Sequence, residues 1–380
     1  MTNNTKKVFY QDSGYPIKRN LLNVPLSNYE PKKKIGFNKV LTHLHYKLCG
    51  TSSFLSNFHW EFLKKNNGIW HFFNGISFGQ TPWVVTFETK VPRWPESSKS
   101  LQEYGVKALA SERCKSLIAM SECTKDIQVR FLEEEFPSYT PRIKPKITVI
   151  HPPQELLIDS LADKQTSRNK LTFTLIGADF FRKGGREVLF VFDRLLRNNM
   201  PVKLNIISTL QIDDYASKAT SDDLRKAITV IEKYPDAIQH YDKLANKEVL
   251  ELLKNSDIGL LPTWGDTYGY SVLEAQACGC PVISTNLRAL SEINGENYGW
   301  LIEVPKNRWG DGKLDTPGER NRFSDLLTAK LYDIVCGIIS DPYQVQKKSK
   351  ACIDRIKEEH NPKEVADQLE KIYSVGLSTT

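Results

Sequence analysis

The sequence has 380 residues, more than one hydrophobic core usually serves, so we expect two domains. Hydrophobic residues make up 40% and charged residues 26%, and no apolar run approaches the roughly 20 residues that span a bilayer, so a membrane-spanning protein is not expected. The start of the chain lacks the apolar segment of a secretory signal, and the 7 cysteines form no C-x-x-C pair. We therefore expect reduced thiols and a cytoplasmic location.

Positive charge is concentrated in the first part of the chain. Residues 1–150 contain 22 Lys and Arg against 12 Asp and Glu, whereas acidic residues slightly outnumber basic ones in the remainder. A basic domain suits an anionic partner such as a membrane surface, a lipid phosphate or a nucleic acid. A solvated basic face explains the same charge equally well, and composition alone does not choose between the two.

Apolar runs of strand length alternate with helical segments in the first half. The predicted strands are residues 7–10, 68–73, 83–87, 116–120 and 146–150, and the predicted helices are 101–114 and 122–135. Residues 29–34 contain a proline and three lysines, which predicts an exposed loop, and a further helix is expected near residues 38–48. Continuous apolar strands separated by helices predict a parallel sheet that is covered on both faces.

The run His151-Pro152-Pro153 interrupts this pattern, because proline continues neither a helix nor a strand ladder. We predict domains at residues 1–153 and 154–340, followed by C-terminal helices over 341–380. The strands expected in the second domain are 171–176, 202–207, one near 237, 257–261 and 281–285. The helices expected there are 185–197, 223–233, 246–255, 270–278 and others from about 322 onward. The second domain is thus also predicted to be a doubly wound α/β domain.

The most informative stretch follows the strand at 257–261. A polar loop, T-W-G-D-T-Y-G, leads into a helix that starts Tyr270-Ser271. Ligands of open α/β sheets bind outside the carboxyl ends of the strands, and a helix N-terminus there favours an anion such as a diphosphate. Asp266 in the loop and Glu274 in the helix are carboxylates that would accept hydrogen bonds from sugar or ribose hydroxyls.

This stretch resembles the family 4 glycosyltransferases, which have the GT-B fold. Their signature is an acidic residue, seven intervening residues and a glutamate, followed by a G-x-P-V-I-x-T run. The matching residues here are Pro262, Asp266, Tyr268, Gly269, Leu273, Glu274, Ala275, Ala277, Gly279, Pro281, Val282, Ile283 and Thr285. The family usually has glutamate where Asp266 stands, and the shorter side chain bears on which donor sugar is held.

A second segment, residues 173–186, reads F-T-L-I-G-A-D-F-F-R-K-G-G-R. Cations that precede glycines at a helix start form an anion cradle, because glycine lets the backbone approach closely. The segment resembles the family's strand–glycine–loop–K-G motif, whose lysine neutralises the leaving diphosphate. Lys183 takes the position of that lysine, and Arg182 is a candidate substitute for an arginine that the family places nearer the glycine.

The resemblance implies two Rossmann-like domains that face each other across a cleft, with a C-terminal helix that crosses back to the first domain. It also implies transfer of a sugar from a nucleoside diphosphate donor with retention of configuration. Lys183, Arg182, Asp266 and Glu274 then have catalytic roles, without a metal or another cofactor. The residues expected to complete the donor site are Gly177, Thr267, Tyr268, Gly269, Tyr270 and Ser271.

Two positions in the first domain are candidates for the same reaction. Glu88 follows the strand at 83–87, where the family often has a histidine that faces the reacting sugar, and it could orient or deprotonate an acceptor hydroxyl. An ion pair with Lys90 or Arg93 is an equally good explanation. Gly14 is the one glycine available for the phosphate contact that the family makes after its first strand. His71 is expected to be packed rather than catalytic.

The acceptor is expected on the basic first domain, as a glycan or a lipid-linked acceptor. Lysines 32–34 and 64–65 are candidate contacts to an anionic membrane, which would make the protein peripheral. A catalytically silent scaffold with the same fold is the main alternative. Nucleic acid is not expected as a partner, because no RNA-binding module appears and the aromatic residues look buried.

The sequence does not support three other enzyme classes. No dinucleotide-binding G-x-G-x-x-G follows a strand, and no P-loop motif is present. Residues 75–79 match the G-x-S-x-G elbow of α/β-hydrolases, but that motif needs a helix after it, and here the next apolar run is a predicted strand. A hydrolase is therefore not expected.

Overall fold

The structure is a computed structural model that describes residues 5–34, 47, 57–61, 67–94, 97–164, 170–212 and 216–378. The chain forms two compact units. The first comprises Met1–Pro153 and His360–Thr380, and the second comprises Gln154–Glu359. The helix predicted near 38–48 lies, apart from residue 47, outside the described residues.

The first unit is built on a parallel sheet of six strands in the order β2-β1-β4-β6-β7-β8, beside a two-stranded pair, β3-β5. Its strands are β1 Lys6–Tyr10, β2 Tyr29–Lys33, β3 Phe58–His59, β4 Ile69–Phe73, β5 Ile76–Ser77, β6 Trp83–Phe87, β7 Cys114–Ala119 and β8 Ile147–Val149. Its longer helices are α1 Lys99–Ala110 and α2 Glu122–Glu135. Shorter helical turns occupy Tyr15–Ile17, Lys18–Leu22, Thr140–Ile143 and Lys144–Lys146.

The central strands β4 and β6 are buried along their whole length, because both faces of the sheet are covered. The aromatic side chains Trp70, Phe72, Phe73 and Trp83 are all buried, as predicted. His71 lies among them, with its ring nitrogens 2.6 Å from Tyr373 Oη and 2.7 Å from Thr86 Oγ1. Burial lowers the pKa of His71 to about 3, so this histidine is a neutral core residue.

The prediction of an exposed loop at residues 29–34 was wrong, because Tyr29–Lys33 forms β2 and pairs in parallel with β1. β2 is the edge strand of the sheet. An edge strand tolerates a proline that lacks an N–H, and it often carries lysines that discourage pairing with another chain. The composition that suggested a loop is therefore equally typical of an edge strand.

The G-x-S-x-G segment does not form a hydrolase elbow. Ser77 lies in β5, is buried, and its hydroxyl accepts a hydrogen bond of 3.2 Å from the Gly79 amide. The next element is the strand β6, so the helix that should follow a nucleophilic serine does not.

The second unit contains a parallel six-stranded sheet in the order β11-β10-β9-β12-β13-β14. Its strands are β9 Leu171–Ile176, β10 Val202–Ile207, β11 Ile238–Tyr241, β12 Ile258–Leu261, β13 Val282–Thr285 and β14 Gly299–Ile302. Its helices are α3 Gly185–Arg197, α4 Ser221–Lys233, α5 Asn246–Lys254, α6 Tyr270–Ala277, α7 Leu290–Ile293, α8 Pro317–Ser340 and α9 Tyr343–Glu359, with a short turn at Leu161–Asp163. The strand order reverses direction between β9 and β12, which is the switch point where doubly wound sheets bind ligands.

Helix α8 begins at Pro317, whereas the sequence predicted helices from about residue 322. Thr316 and Glu319 form a capping box that fixes this start. Two further helices follow α8. The second unit extends through α9 to Glu359, past residue 340, where the second domain was predicted to end. The last helix, α10 Pro362–Ser378, belongs to the first unit. The two units are thus Rossmann-like α/β folds with a helical C-terminus.

Candidate active site

The loop between β9 and α3, residues 177–184, is anchored by its two phenylalanines. Phe180 and Phe181 are buried, and their ring centroids lie 5.0 Å apart in an edge-to-face contact. A Cβ on Gly185 would come within 2.3 Å of the Phe180 ring, so the start of α3 packs directly on this anchor. An apolar pair inside a polar loop fixes the loop without using its charged side chains.

Glycine is required where this loop enters α3. Gly184 has φ 82°, in the left-handed region, and a Cβ there would lie 2.1 Å from the carbonyl oxygen of Pro262. At Gly177 a Cβ would lie 2.8 Å from the Lys183 side chain. The loops after β9 and β12 are therefore in backbone contact, and the stem of Lys183 lies over Gly177.

The loop after β12 leads into α6 through another left-handed glycine. Gly269 has φ 94°, and a Cβ there would come within 2.6 Å of the Leu290 side chain. Gly269 is the N-cap of α6, and Tyr270 and Ser271 are the first residues of the helix, whose positive dipole end favours an anion.

Lys183 and Asp266 form an ion pair between the two loops. Their side chains are only 15% and 12% exposed, so water screens the pair weakly. Burial of Asp266 opposes its ionisation, but the Lys183 ammonium and the Arg182 guanidinium outweigh burial and hold the pKa of Asp266 below its usual range. Its carboxylate is therefore ionised at neutral pH and can accept hydrogen bonds.

Arg182 braces the same pair of loops. Its guanidinium binds Asp179 and donates a 2.6 Å hydrogen bond to the carbonyl of Gly265, while its own carbonyl accepts from the Trp264 amide at 2.8 Å. The structure thus brings the adjacent residues Arg182 and Lys183 to Asp266, which lies 83 positions after Lys183. The Arg182 guanidinium is thus paired with a carboxylate, whereas an arginine that binds phosphate directly would have its N–H groups available for it.

Glu274 is buried in α6 at 9% exposure. An exposed helix glutamate, the simplest structural explanation of this residue, is therefore excluded. The residue lies one turn inside the helix that begins at Tyr270, and its role toward a ligand stays a prediction.

The remaining residues predicted for the donor site differ in the exposure of their side chains. Thr267, Tyr270 and Ser271 are partly exposed. Tyr268 is buried, and its amide points to Asp266, donating to Oδ1 at 3.3 Å. Tyr268 therefore helps to fix the carboxylate rather than presenting its ring to a ligand.

In the first unit, the predicted residues have local partners. Glu88 forms an ion pair with Arg93, and its amide donates to Asn74 Oδ1 at 3.4 Å. The Gly14 amide donates to Asp12 Oδ1 at 3.0 Å. The ion pair foreseen for Glu88 is therefore present, while the acceptor role of Glu88 and the phosphate role of Gly14 stay predictions.

Two residues of the site were missed by the sequence analysis. Trp264 precedes Asp266 by two positions and is buried, and its indole N–H donates to Glu187 Oε2 at 3.2 Å. Glu187 lies in the first turn of α3 and is 1% exposed. A tryptophan inside a polar, glycine-punctuated loop was the available signal, since such a ring needs an apolar pocket and an acceptor for its N–H.

Among the described residues, no group of three or more His, Cys, Asp or Glu side chains is placed to hold a metal ion. Within the same ranges, no helix is long and apolar enough to cross a bilayer.

Residues 159–309 match the family model described as "Glycosyl transferases group 1". Over 135 residues the chain is 29% identical to a D-inositol 3-phosphate glycosyltransferase of Arthrobacter sp. (strain FB24), which is 34% of this chain and 30% of that protein. The match thus spans about a third of that relative's length.

Solved structures resemble nearly the whole chain. A glycosyltransferase from Rickettsia africae ESF-5 matches with a TM-score of 0.59 at 15% identity, over 99% of this chain and 100% of that one. Anabaena HepE in complex with UDP-glucose matches with a TM-score of 0.57 at 12% identity, over 97% and 99%. At this identity the likeness shows the fold alone, which is the predicted GT-B fold.

Proposed function

We propose that this protein is a retaining glycosyltransferase that moves a sugar from a nucleoside diphosphate sugar to a hydroxyl acceptor. The observation that carries the proposal is the contact between Lys183 and Asp266 on two loops that follow neighbouring strands, next to the start of α6. A cation beside an ionised carboxylate suits a ligand with a charged diphosphate joined to a hydroxyl-rich sugar. The family match over residues 159–309 covers both loops.

In this proposal the diphosphate binds to Lys183 and at the N-terminus of α6, residues 269–271, and Arg182, whose guanidinium binds Asp179, adds positive charge beside it. These groups stabilise the negative charge that grows on the departing phosphate, which is the task that a metal ion serves in other enzymes. Asp266 accepts hydrogen bonds from the sugar, and Glu274 accepts them from the ribose or nearby sugar hydroxyls. When a phosphate binds, the Lys183 ammonium shares its hydrogen bonds between Asp266 and the phosphate.

The proposed reaction retains the configuration at the anomeric carbon. The acceptor oxygen bonds to that carbon on the face from which the phosphate leaves, the carbon–phosphate oxygen bond breaks, and the acceptor proton passes to the leaving phosphate. Asp266 is not assigned as a covalent nucleophile, because its carboxylate already binds Lys183 and the Tyr268 amide. The charge of Lys183 makes the departing phosphate a better leaving group.

We also propose that the first unit binds the acceptor, a glycan or a lipid-linked sugar, and that Glu88 orients its hydroxyl. The excess positive charge of residues 1–150 supports an anionic or membrane-bound acceptor and a peripheral cytoplasmic location. Among the lysines predicted to contact a membrane, Lys32 pairs with Glu30 and Lys33 with Asp12. Lysines 64–65 lie outside the described residues.

Flotation with liposomes that contain anionic lipid tests the proposed membrane association. No binding at physiological salt would contradict the membrane proposal.

The first experiment is a thermal-shift measurement with UDP, GDP, dTDP, CMP and their common sugar conjugates. A ligand that binds the native state raises the melting temperature, by an amount that grows with the ratio of ligand concentration to Kd. We expect one nucleotide family to raise it, UDP being the first choice because HepE was solved with UDP-glucose. The shift should disappear in Lys183→Ala and persist in Lys203→Ala, which removes an exposed lysine of the same unit.

No shift with any nucleotide would contradict the proposed donor site and favour the silent scaffold. Transfer activity then separates the remaining possibilities. A nucleotide that binds wild-type protein but is never consumed with any glycan or lipid-linked acceptor would also favour a binding protein over an enzyme.

A further inference from the structure

Glu187 is a buried carboxylate that connects three elements of the second unit. Oε1 accepts from the Ser324 hydroxyl of α8 at 2.6 Å and from Arg186 of α3 at 2.9 Å. Oε2 accepts from the indole N–H of Trp264, in the loop after β12, at 3.2 Å. A carboxylate that is 1% exposed is retained at a high desolvation cost, and that cost is offset only when such bonds are made.

Trp264 passes this connection to the candidate active site. Its ring is buried 4.7 Å from the Phe323 ring, and its amide donates to the Arg182 carbonyl at 2.8 Å. The next residue, Gly265, accepts a hydrogen bond from the Arg182 guanidinium, and Asp266 follows it directly. A shift of the indole therefore moves the backbone that presents the Asp266 carboxylate to Lys183.

Building on the proposed function, we infer that Glu187 is a positioning residue for the donor loop and acts through Trp264. It fixes the indole, the indole fixes residues 263–266, and Asp266 is thereby held where it grips the donor sugar. The Glu187 carboxylate binds Ser324, Arg186 and Trp264, and of these Trp264 belongs to the loop that carries Asp266. A site that is held by such bonds loses function when its support moves by about 1 Å.

The key variant is Trp264→Phe, which keeps an aromatic ring in the pocket and removes the N–H donor together with part of the ring volume. The Glu187→Gln substitution in the Trp264→Phe background, described below, separates the lost bond from the lost volume. Ser324→Ala is the matched control, because it removes a hydrogen bond to the same carboxylate from the α8 side, and a 3.4 Å bond from Arg186, without touching the donor loop. If Glu187 merely joins α3 to α8, both variants should lower the melting temperature and have the same effect on donor binding. If it positions the loop, only Trp264→Phe should weaken donor binding.

The first readout is binding of the matched pairs UDP/UDP-glucose, GDP/GDP-mannose and dTDP/dTDP-glucose. For the pair that wild-type protein binds, we expect Trp264→Phe to weaken the sugar conjugate about tenfold and the free diphosphate less than about threefold, a loss of the size that one hydrogen bond to a charged group gives. Ser324→Ala should leave both affinities within about twofold of wild type. Equal affinity losses for conjugate and diphosphate in the two variants would overturn the inference.

A second readout does not depend on any ligand. Amide hydrogen exchange over residues 263–269 should be faster in Trp264→Phe than in Ser324→Ala, since only the former releases the loop. In the Trp264→Phe background, Glu187→Gln should cause no further change in the affinity ratio, because two residues that act through one bond are not additive. Unchanged exchange in Trp264→Phe would overturn the positioning role, whereas failure of wild-type protein to bind any of the pairs would overturn the proposed function instead.

Discussion

Each of the two compact units has its own parallel six-stranded sheet. The units differ in the bonds that hold the loops at the carboxyl ends of their strands. In the second unit the bonds are long-range: Arg182 and Lys183 reach Gly265 and Asp266, 83 residues further along the chain. In the first unit the ion pair of Glu88 is with Arg93 in the same loop, and neutral groups join separate loops, as the Glu88 amide does by donating to Asn74 Oδ1. An ion pair thus fixes two loops against each other in the second unit, whereas the ion pair at Glu88 lies within one loop.

This difference matches the distribution of recognisable sequence. The family match lies wholly within the second unit, at residues 159–309. Under the proposed function the second unit holds the donor and the first unit holds the acceptor. Loops that are fixed by an ion pair suit the charged diphosphate of the donor.

The largest expected effect concerns the cation of the second unit. Replacement of Lys183 by Ala should lower kcat by about 10²–10³-fold, because the charge on the departing phosphate loses its nearest ammonium. Lys203→Ala is the control, and sugar transfer measured by nucleotide release is the assay. Near-normal turnover in Lys183→Ala would show that the long-range contact with Asp266 is structural only.

The two loop glycines provide the next test, since both have positive φ but differ in their surroundings. A Cβ at Gly184 meets the Pro262 carbonyl at 2.1 Å, whereas a Cβ at Gly14 meets no atom within 4 Å. We expect Gly184→Ala to lower the free energy of unfolding by roughly 2–3 kcal/mol more than Gly14→Ala, since overpacking adds to backbone strain. Equal losses in denaturant unfolding would contradict the close contact between the loops after β9 and β12.

Acid should weaken the first unit through its buried histidines. Burial lowers the pKa of His71 to about 3, and burial also lowers the pKa of His59 to about 4. Below pH 6.5 these histidines bind protons in the unfolded chain but stay neutral in the native state. Their contribution to the free energy of unfolding is therefore fully present above pH 6.5 and is lost as the pH falls toward the native pKa values. Each histidine should cost about 1.4 kcal/mol per pH unit, or about 2 kcal/mol at pH 5.

The histidine prediction is measured as the change in unfolding free energy between pH 7.5 and pH 5. His71→Gln should remove about half of that change, because one of the two histidines no longer titrates. A wild-type stability that is flat over this range would show that His71 does not remain neutral in the native state.

The smallest expected effect is at Glu88. If Glu88 orients the acceptor, Glu88→Gln should lower kcat about tenfold while leaving nucleotide binding unchanged. Arg93→Gln, which removes its ion-pair partner, is the control for structural loss. Equal turnover in Glu88→Gln and wild type would show that Glu88 has only a structural role, in its ion pair with Arg93.

Most elements of the second unit follow directly from the sequence. The apolar runs at 171–176 and 202–207 coincide with β9 and β10, and the helix at 185–197 coincides with α3. Burial on both sheet faces demands continuous apolar runs, and such runs are readable from local sequence. Prediction failed at Tyr29–Lys33, because pairing with β1 decided that this polar segment is a strand. Nothing local distinguishes an edge strand with lysines from a loop.

For the candidate site, the residue types at the strand ends can be predicted from the sequence. Glycines, a lysine and two carboxylates stand beside a helix start, and these features depend on neighbours a few positions away. The pairing of Lys183 with Asp266 and the bond from the Trp264 indole to the buried Glu187 depend on the fold of the whole unit. Those contacts join residues 83 and 77 positions apart, and they form only after β9 and β12 lie side by side in the sheet. Strand pairing brings such side chains together, and a linear pattern does not contain that pairing.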